Sequence, residues 1–488
     1  MKRIFASFLT LCLLASCIPT PTPPDLNLDR VSPDMPIFRE GLANPSILAE
    51  MDSATAYRIQ FVVEDDLTHV SGKEQVWYTN REDMPLDHME FRLFPNILGG
   101  KMTVSNLIVD QQPVKPEYSL RNSLMTVPFS EPLAAGEEVV ISMDFALEVP
   151  TNVELNYGVL AYFADVLTLA HAYPMVAVYN EEGWNAELPP PAGDLTFADA
   201  SFFLVTVNAP QGLTIVASGR ESEPTVSNGR IVQTIALGPG RDFFMAIGQD
   251  LVVISETVGD ITVNSYAPGS WQESSQSALE TAVRALETYS RAYAPYPYTE
   301  FDIVATPNLA LGIEYPGATA ITHRLYTENT FGEQTAIYRE STVAHEVGHQ
   351  WFYNLVGNDQ LDEPWLDESL TQFITWEYYR RVYGPASASG FEDALQARWS
   401  RVDNAEIPIG LPVADYADRE YGAIVYGRGA FFFEDLRNEM GSGAFDVFIK
   451  NYVQTFSWKN ATSKELKALA EKHCNCDLTP IFEKWVFP

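Results

Sequence analysis

Short runs in which apolar and polar residues alternate dominate the chain from about Tyr57 to Val253. Tyr57-Arg-Ile-Gln-Phe-Val-Val, Gln75-Val-Trp-Tyr, Val139-Val-Ile-Ser-Met-Asp-Phe, Phe202-Phe-Leu-Val-Thr-Val and Ile261-Thr-Val-Asn-Ser-Tyr carry this pattern. A period of two sends alternate side chains to opposite faces of a strand, and Gly, Pro, Asn and Asp punctuate the runs. The pattern predicts an antiparallel β domain. The texture changes after about Pro268. Ala278, Ala282, Leu286 and Tyr289 recur at helical spacing between Gln272 and Tyr293, ahead of Pro295 and Pro297. Phe301-Asp-Ile-Val-Ala reads as a strand, and after Glu333 the chain is mostly helical, with Ser, Asp and Gly at helix boundaries. There is no internal repeat. The expected fold is therefore α+β, with a β domain over 51–255 and a mixed, mainly helical domain over 256–488.

The first residues follow another pattern. Lys2 and Arg3 precede an apolar run from Ile4 to Leu14, too short to span a bilayer, which makes 1–16 a signal peptide. Leu14-Ala15-Ser16-Cys17 resembles a bacterial lipobox, in which Cys17 is lipidated and becomes the new N-terminus. More than one acyl chain on Cys17 gives stable anchoring, so a membrane is an expected partner and the location extracytoplasmic. Pro19, Pro21, Pro23, Pro24, Pro33 and Pro36 favour extended structure, and 17–50 reads as a tether.

Length and charge narrow the function. The 488 residues suffice for one to three domains. The formal net charge is -34, from 65 acidic and 31 basic residues, and such a chain repels a phosphate backbone. Nucleic acid is not an expected partner. Only four cysteines are present. Cys12 leaves with the signal and Cys17 takes lipid. Cys474 and Cys476 are one residue apart, a spacing that strains a mutual disulfide, so they read as a helix end or loop.

The chemistry concentrates at His345-Glu346-Val347-Gly348-His349. Residues i and i+4 share one helix face, so both imidazoles can reach one zinc ion. Glu346 then stands one step round, placed to take a proton from a water that the metal acidifies. A catalytic zinc needs a third protein ligand. A third histidine six residues after the second is ruled out, since that position is Leu355. A carboxylate on a following helix is the alternative, and Glu363, Asp367 and Glu368 all have suitable spacing; the bland role for such residues is to complement a helix dipole.

HEVGH followed by Trp365-Leu-Asp-Glu-Ser-Leu resembles the gluzincin aminopeptidases, the aminopeptidase N family, whose pattern is HExxH, eighteen residues, then Glu within W-L-x-E. The resemblance selects Glu368 as third ligand and implies a thermolysin-like catalytic domain holding one zinc. It extends to Leu311-Gly-Ile-Glu-Tyr-Pro-Gly, which looks like the family's GxMEN strand, and to Tyr426-Gly-Arg-Gly-Ala, which looks like its Y-x-K-G-A segment. It implies that Glu314 binds the substrate's α-amino group, that Tyr426 donates to the oxyanion, and that Gly312 and Ile313 lend backbone groups to the peptide. Departures are Tyr315 for the Asn and Ile313 for the Met of GxMEN, and Arg428 for the Lys of the tyrosine segment. The family's second amine anchor has no arginine-containing counterpart between Asp165 and Pro174; Asp165 is the candidate replacement. The resemblance covers about 50–488, and implies a member lacking the family's C-terminal helical domain.

The expected activity is thus a zinc-dependent aminopeptidase acting on peptides. The alternatives are an open-cleft endopeptidase and a lipid-anchored binding protein without turnover. Glu346 and Tyr426 argue against the last, since mere binding needs neither.

Overall fold

A computed structural model describes residues 30–190, 193–327 and 330–487. The signal segment, Cys17 and most of the proline-rich stretch lie outside the described residues. The N-terminal half is built on a nine-stranded sheet with two four-stranded sheets beside it. Strand β1 (Ala56–Val63) shows why the alternation works: Ile59, Phe61 and Val63 are buried while Gln60 is exposed. β1 pairs antiparallel with His69–Thr79 but parallel with β2 (Ser201–Pro210). One parallel pair therefore interrupts the expected antiparallel pattern. Alternation fixes which face a residue takes, whereas strand direction depends on the crossover that returns the chain after 63.

The C-terminal half opens on a five-stranded mixed sheet. Leu251–Val258 and Ile261–Pro268 form its first hairpin, so the boundary lies at the turn before Leu251 and not at 255. Glu300–Thr306 and Ala318–Thr322 extend it in parallel, and β3 (Gly312–Tyr315) closes it as an antiparallel edge. Helix α1 (Gln272–Ala292) covers this sheet through Ala278, Ala282, Ala285, Leu286 and Tyr289, which recur every three or four residues. Helices α2 (Thr335–Gly348) and α3 (Glu368–Tyr383) follow, and every residue of α3 from Glu368 to Tyr379 is buried. Over that stretch the helix shows no side to solvent, and its polar residues, Glu368 among them, face other parts of the protein.

Two further sequence expectations are corrected. Residues 31–50 are not a free tether. Pro36–Glu40 is a short helix whose Phe38 packs edge-on against the Phe202 ring at 5.3 Å, and Val31, Leu42 and Leu48 are buried. Pro36 sits at a helix start, where its missing N–H is not needed. The apolar residues between the prolines hold this segment down. Cys474 and Cys476 are joined as a disulfide. Asn475 between them adopts a left-handed conformation (φ 51°, ψ 44°), which turns the chain at the end of helix Ser463–Cys474 and sets the Cα atoms 5.2 Å apart.

One buried side chain ties the halves together. Arg241, at the end of the β domain, is 2% exposed. Its Nε donates to Asn354 O, one terminal nitrogen to Ala198 O and Asn460 Oδ1, and the other to Leu355 O and Lys459 O. All five N–H groups are engaged. Arg241→Met is expected to strand five buried oxygens; at about 1–3 kcal/mol for each group left dry, the loss exceeds about 3 kcal/mol even after relaxation. Urea denaturation should show a lowered midpoint, with Arg241→Lys recovering only part because one ammonium cannot replace the planar fork. An unchanged midpoint for Arg241→Met would show that the contact does not hold the interface.

Candidate metal centre and substrate groove

Helix α2 carries His345 and Glu346 in its last turn, and His349 caps it. Just beyond, the Gln350 amide donates to Tyr315 O and accepts from Gly317 N, both at 2.9 Å. This pairing fixes strand β3 to the end of α2. Gly312 is needed there: a Cβ at this position would stand 2.3 Å from Glu346 Oε1, so only glycine lets the strand lie against that carboxylate.

Helix α3 begins at Glu368, with Asp367 as its cap. Asp367 Oδ1 accepts from Glu368 N and Asn358 Nδ2, and Oδ2 accepts from Gln360 Nε2 at 2.7 Å. Glu363 accepts from Ser463 N. The two rival carboxylates are thus occupied elsewhere, and Glu368 alone reaches both histidines. His345 Nε2 lies 3.1 Å from Glu368 Oε2 and 3.1 Å from His349 Nε2; His349 Nε2 lies 3.5 Å from Glu368 Oε2. Ligand atoms about 2.0–2.1 Å from a tetrahedral zinc stand about 3.3–3.4 Å apart. The three atoms therefore fit zinc. His349 Nδ1 is 2.9 Å from Phe352 O, which places a proton on that nitrogen and leaves Nε2 as a lone pair facing the other two atoms. His345 Nδ1 is buried and has no hydrogen-bond partner among the described residues.

Glu346 lines the groove and makes no hydrogen bond to a described residue, so its carboxylate is open to a substrate or water. Tyr426 donates to Glu368 Oε1 at 2.5 Å, the oxygen turned away from the histidines. It sits in a single π turn, Ile424–Arg428, that leads into helix α5 (Gly429–Met440). Such turns insert one extra residue into a helix and are frequent at functional sites. Gly429 allows it, since a Cβ would meet Ser369 Oγ at 1.9 Å, while the Ser369 hydroxyl holds Val425 O at 2.7 Å.

Glu314 is buried on β3 and accepts from Gln360 Nε2 at 3.1 Å, so Gln360 bridges it to Asp367. Burial pushes its carboxyl up, and the Glu368 charge adds to the shift. Gly312 and Ile313 lie on the same edge strand and line the groove. Asp165 is elsewhere: it is exposed in the turn between strands Leu160–Phe163 and Val166–Ala170, with φ 62°. Asp194 takes the place proposed for it. One of its carboxylate oxygens is within 4.8 Å of oxygens of both Glu314 and Glu368. Burial raises its carboxyl well above the usual range, with Glu314 and Glu368 contributing next. Asp194 stands in an irregular loop and carries no motif, so nothing in the sequence pointed to it.

The wall beside Glu314 was likewise not anticipated. His171 Nε2 is 3.0 Å from Asp242 Oδ2 and 2.9 Å from Thr196 Oγ1, and the Tyr353 hydroxyl donates to Asp242 at 2.9 Å. Tyr353 holds φ 131°, a costly value for a tyrosine, in the loop that follows the metal helix. Together these residues border a groove of about 960 Å³ lined by both halves of the chain.

Among known proteins, residues 277–485 match the family model described as Peptidase family M1 domain. The endoplasmic reticulum aminopeptidase 1 of Rattus norvegicus is 25% identical over 371 residues, covering 74% of this chain and 39% of the relative. A leucyl aminopeptidase of Saccharolobus solfataricus is 25% identical over 308 residues, covering 58% and 38%. The chain spans less than two-fifths of the length of these curated relatives. The crystal structure of an M1 zinc metallopeptidase from Deinococcus radiodurans shares the fold, with a TM-score of 0.66, 19% identity and coverage of 89% of this chain and 94% of that one. A mutant of that metallopeptidase bound to a Tyr-Ser-Ala substrate matches with a TM-score of 0.65 at 18% identity, covering 90% and 95%.

The geometry predicts a metal stoichiometry. Purified protein should hold one zinc per chain by metal analysis. His345→Ala, His349→Ala and Glu368→Ala should each lose it on dialysis, whereas Glu346→Gln and Glu363→Gln should retain it. Zinc lost from Glu363→Gln but kept by Glu368→Ala would reverse the ligand assignment.

Proposed function

We propose, from the match of residues 277–485 to the peptidase family M1 domain, that the protein is a zinc aminopeptidase removing the first residue from peptides. The observation that carries this reading is the pair of carboxylates, Glu314 and Asp194, set beside the metal triad in the groove. Two partly desolvated carboxylates with a single amide donor between Glu314 and Asp367 make a socket for an ammonium ion, the group that distinguishes a free N-terminus. The activities in the names of the relatives, and the tripeptide in the Deinococcus radiodurans structure, support the same reading.

Zinc, when held by His345, His349 and Glu368, supplies a Lewis acid that polarises a carbonyl and lowers the pKa of water. Glu314 and Asp194 bind the ammonium group and so set which peptide bond reaches the triad. Gly312 and Ile313, on an open sheet edge, offer main-chain groups to an extended peptide. As water adds to the carbonyl carbon, Glu346 takes the proton that water releases. The Tyr426 hydroxyl turns from Glu368 Oε1 to donate to the developing oxyanion. When the C–N bond breaks, Glu346 passes its proton to the leaving nitrogen.

We also propose that the protein is a lipid-anchored, extracytoplasmic enzyme. Support comes from Lys2, Arg3, the Ile4–Leu14 run and the Leu14-Ala-Ser-Cys17 sequence. Cys17→Ser should leave the membrane fraction; continued sedimentation with membranes would refute the anchor.

The decisive experiment compares aminoacyl para-nitroanilides with their N-acetylated forms. Wild type should cleave the free amines, and Glu346→Gln should lose about 10²- to 10⁴-fold in kcat. Glu314→Ala should lose about 30-fold or more in kcat/KM on free amines, the cost of truncating one member of a desolvated charge pair, with little change on blocked substrates. Equal cleavage of blocked and free substrates by wild type, unaltered by Glu314→Ala, would replace the aminopeptidase by an endopeptidase.

A further inference from the structure

One half-buried arginine in the groove wall stands without a partner among the described residues. Arg398 lies near the end of helix α4 (Pro385–Trp399), which precedes α5 in the chain, and it is half-buried in the groove wall. It makes no hydrogen bond, ion pair or ring contact among the described residues. Among the described residues every other buried or half-buried arginine has a partner. An unpartnered guanidinium is costly to hold half out of water, and in a chain of net charge -34 carboxylates for it are abundant. Its isolation inside the groove is therefore informative.

Arg398 stands on the His345 side of the triad, since it bears on His345, whereas Glu314 is influenced by His349. The groups that bear on it electrostatically are Arg401, Tyr426, Glu368 and Tyr338. Those that bear on Glu314 are His349 and Glu368. On α2, Tyr338 precedes His345 by about 10 Å along the axis, and Thr342, another lining residue, by about 4.5 Å, whereas His349 follows it by about 6 Å. A peptide held by its amine at Glu314, with its first carbonyl at the triad, must send its leaving portion toward Thr342 and Arg398. At about 3.3–3.6 Å per extended residue, one or two residues beyond the scissile bond cover that distance.

We propose that Arg398 is a specificity residue that binds a carboxylate on the leaving-group side of the scissile bond, which makes short peptides with a free C-terminus the preferred substrates. This rests on the aminopeptidase reading. A planar guanidinium presents paired donors that match a carboxylate, and exposed Arg401, one turn further on, adds positive charge near it. A C-terminal carboxylate and an acidic side chain share this chemistry.

The test uses the zinc-loaded, full chain. Leu-Gly-Gly is compared with Leu-Gly-Gly amide, and Leu-Glu-Gly amide with Leu-Gln-Gly amide. Wild type should favour the free acid over its amide by about ten- to a hundredfold in kcat/KM, mostly through KM, the scale of a hydrogen bond to a charged group. Arg398→Gln should bring that ratio close to one, and Arg398→Lys should restore part of it. Because the readout is a ratio within each variant, a general loss of folded protein does not mimic it, and zinc content checks each preparation. If only the Leu-Glu-Gly pair shows the preference and its loss in Arg398→Gln, the carboxylate is a side chain and the recognition stands. If wild type shows neither preference, or Arg398→Gln keeps it, the proposal is overturned. If wild type cleaves none of the four peptides, the aminopeptidase reading fails first and this inference with it.

Discussion

Arg241 sets the geometry on which the groove depends. Its five N–H groups meet five oxygens drawn from three places: the β domain at Ala198, the loop that follows the metal helix at Asn354 and Leu355, and the C-terminal segment at Lys459 and Asn460. None of these is a carboxylate. Burial lowers its pKa to about 10, so it stays charged at neutral pH, and Asp199, linked through Asn460, is the main opposing influence. A charge in this position is tolerated only while every donor is met. The two halves therefore cannot slide independently, and the loop carrying Tyr353 and Asn354 is held where it extends α2.

That fixed frame lets α2, α3 and β3 converge without distortion of any one of them. Each is ordinary as secondary structure. Two glycines permit close approach: Gly312 lets β3 lie against Glu346 of α2, and Gly429 lets α5 close on Ser369 of α3. The result concentrates Glu314, Glu346, Asp367, Glu368 and Asp194 around two imidazoles. Burial pushes the Asp367 carboxyl up to about 7, and the Glu368 charge adds to the shift. Such crowding is unfavourable in a protein without a compensating cation. A divalent ion at the triad and an ammonium ion at the socket answer two parts of the same excess of negative charge.

The sequence made the centre of this site legible and its margins illegible, for a physical reason. His345 and His349 are related by helix period, which is local and visible. Spacing alone could not separate Glu368 from Asp367 and Glu363, because all three can reach the right distance; only the caps and the Ser463 contact show that two of them are occupied. Glu314 and Tyr426 emerged through resemblance to a motif. Asp194 and Arg398 had no such signal, since one sits in an irregular loop and the other on a helix distant in sequence. The parallel pairing of β1 with β2 was hidden for the same reason, as alternation reports faces and not directions. The docking of residues 31–50 was obscured by prolines whose neighbours Phe38, Leu42 and Leu48 are apolar enough to bury.

The strongly acidic composition, taken alone, suggests a protein that repels anionic substrates. Screening changes that conclusion. At physiological ionic strength the Debye length is about 8 Å, so exposed surface carboxylates contribute little field inside the groove. The groups that matter are those within a few ångströms of a bound peptide and partly shielded from solvent, where effective dielectric is lower. There the charges are not uniform: carboxylates gather around Glu314, and half-buried Arg398 stands near Tyr426 and Tyr338. A peptide zwitterion aligned from amine to carboxylate is favoured at both ends in one orientation and opposed at both in the reverse. On the proposed reading the groove would select orientation before chemistry begins, through local polarity that the net charge of the chain conceals.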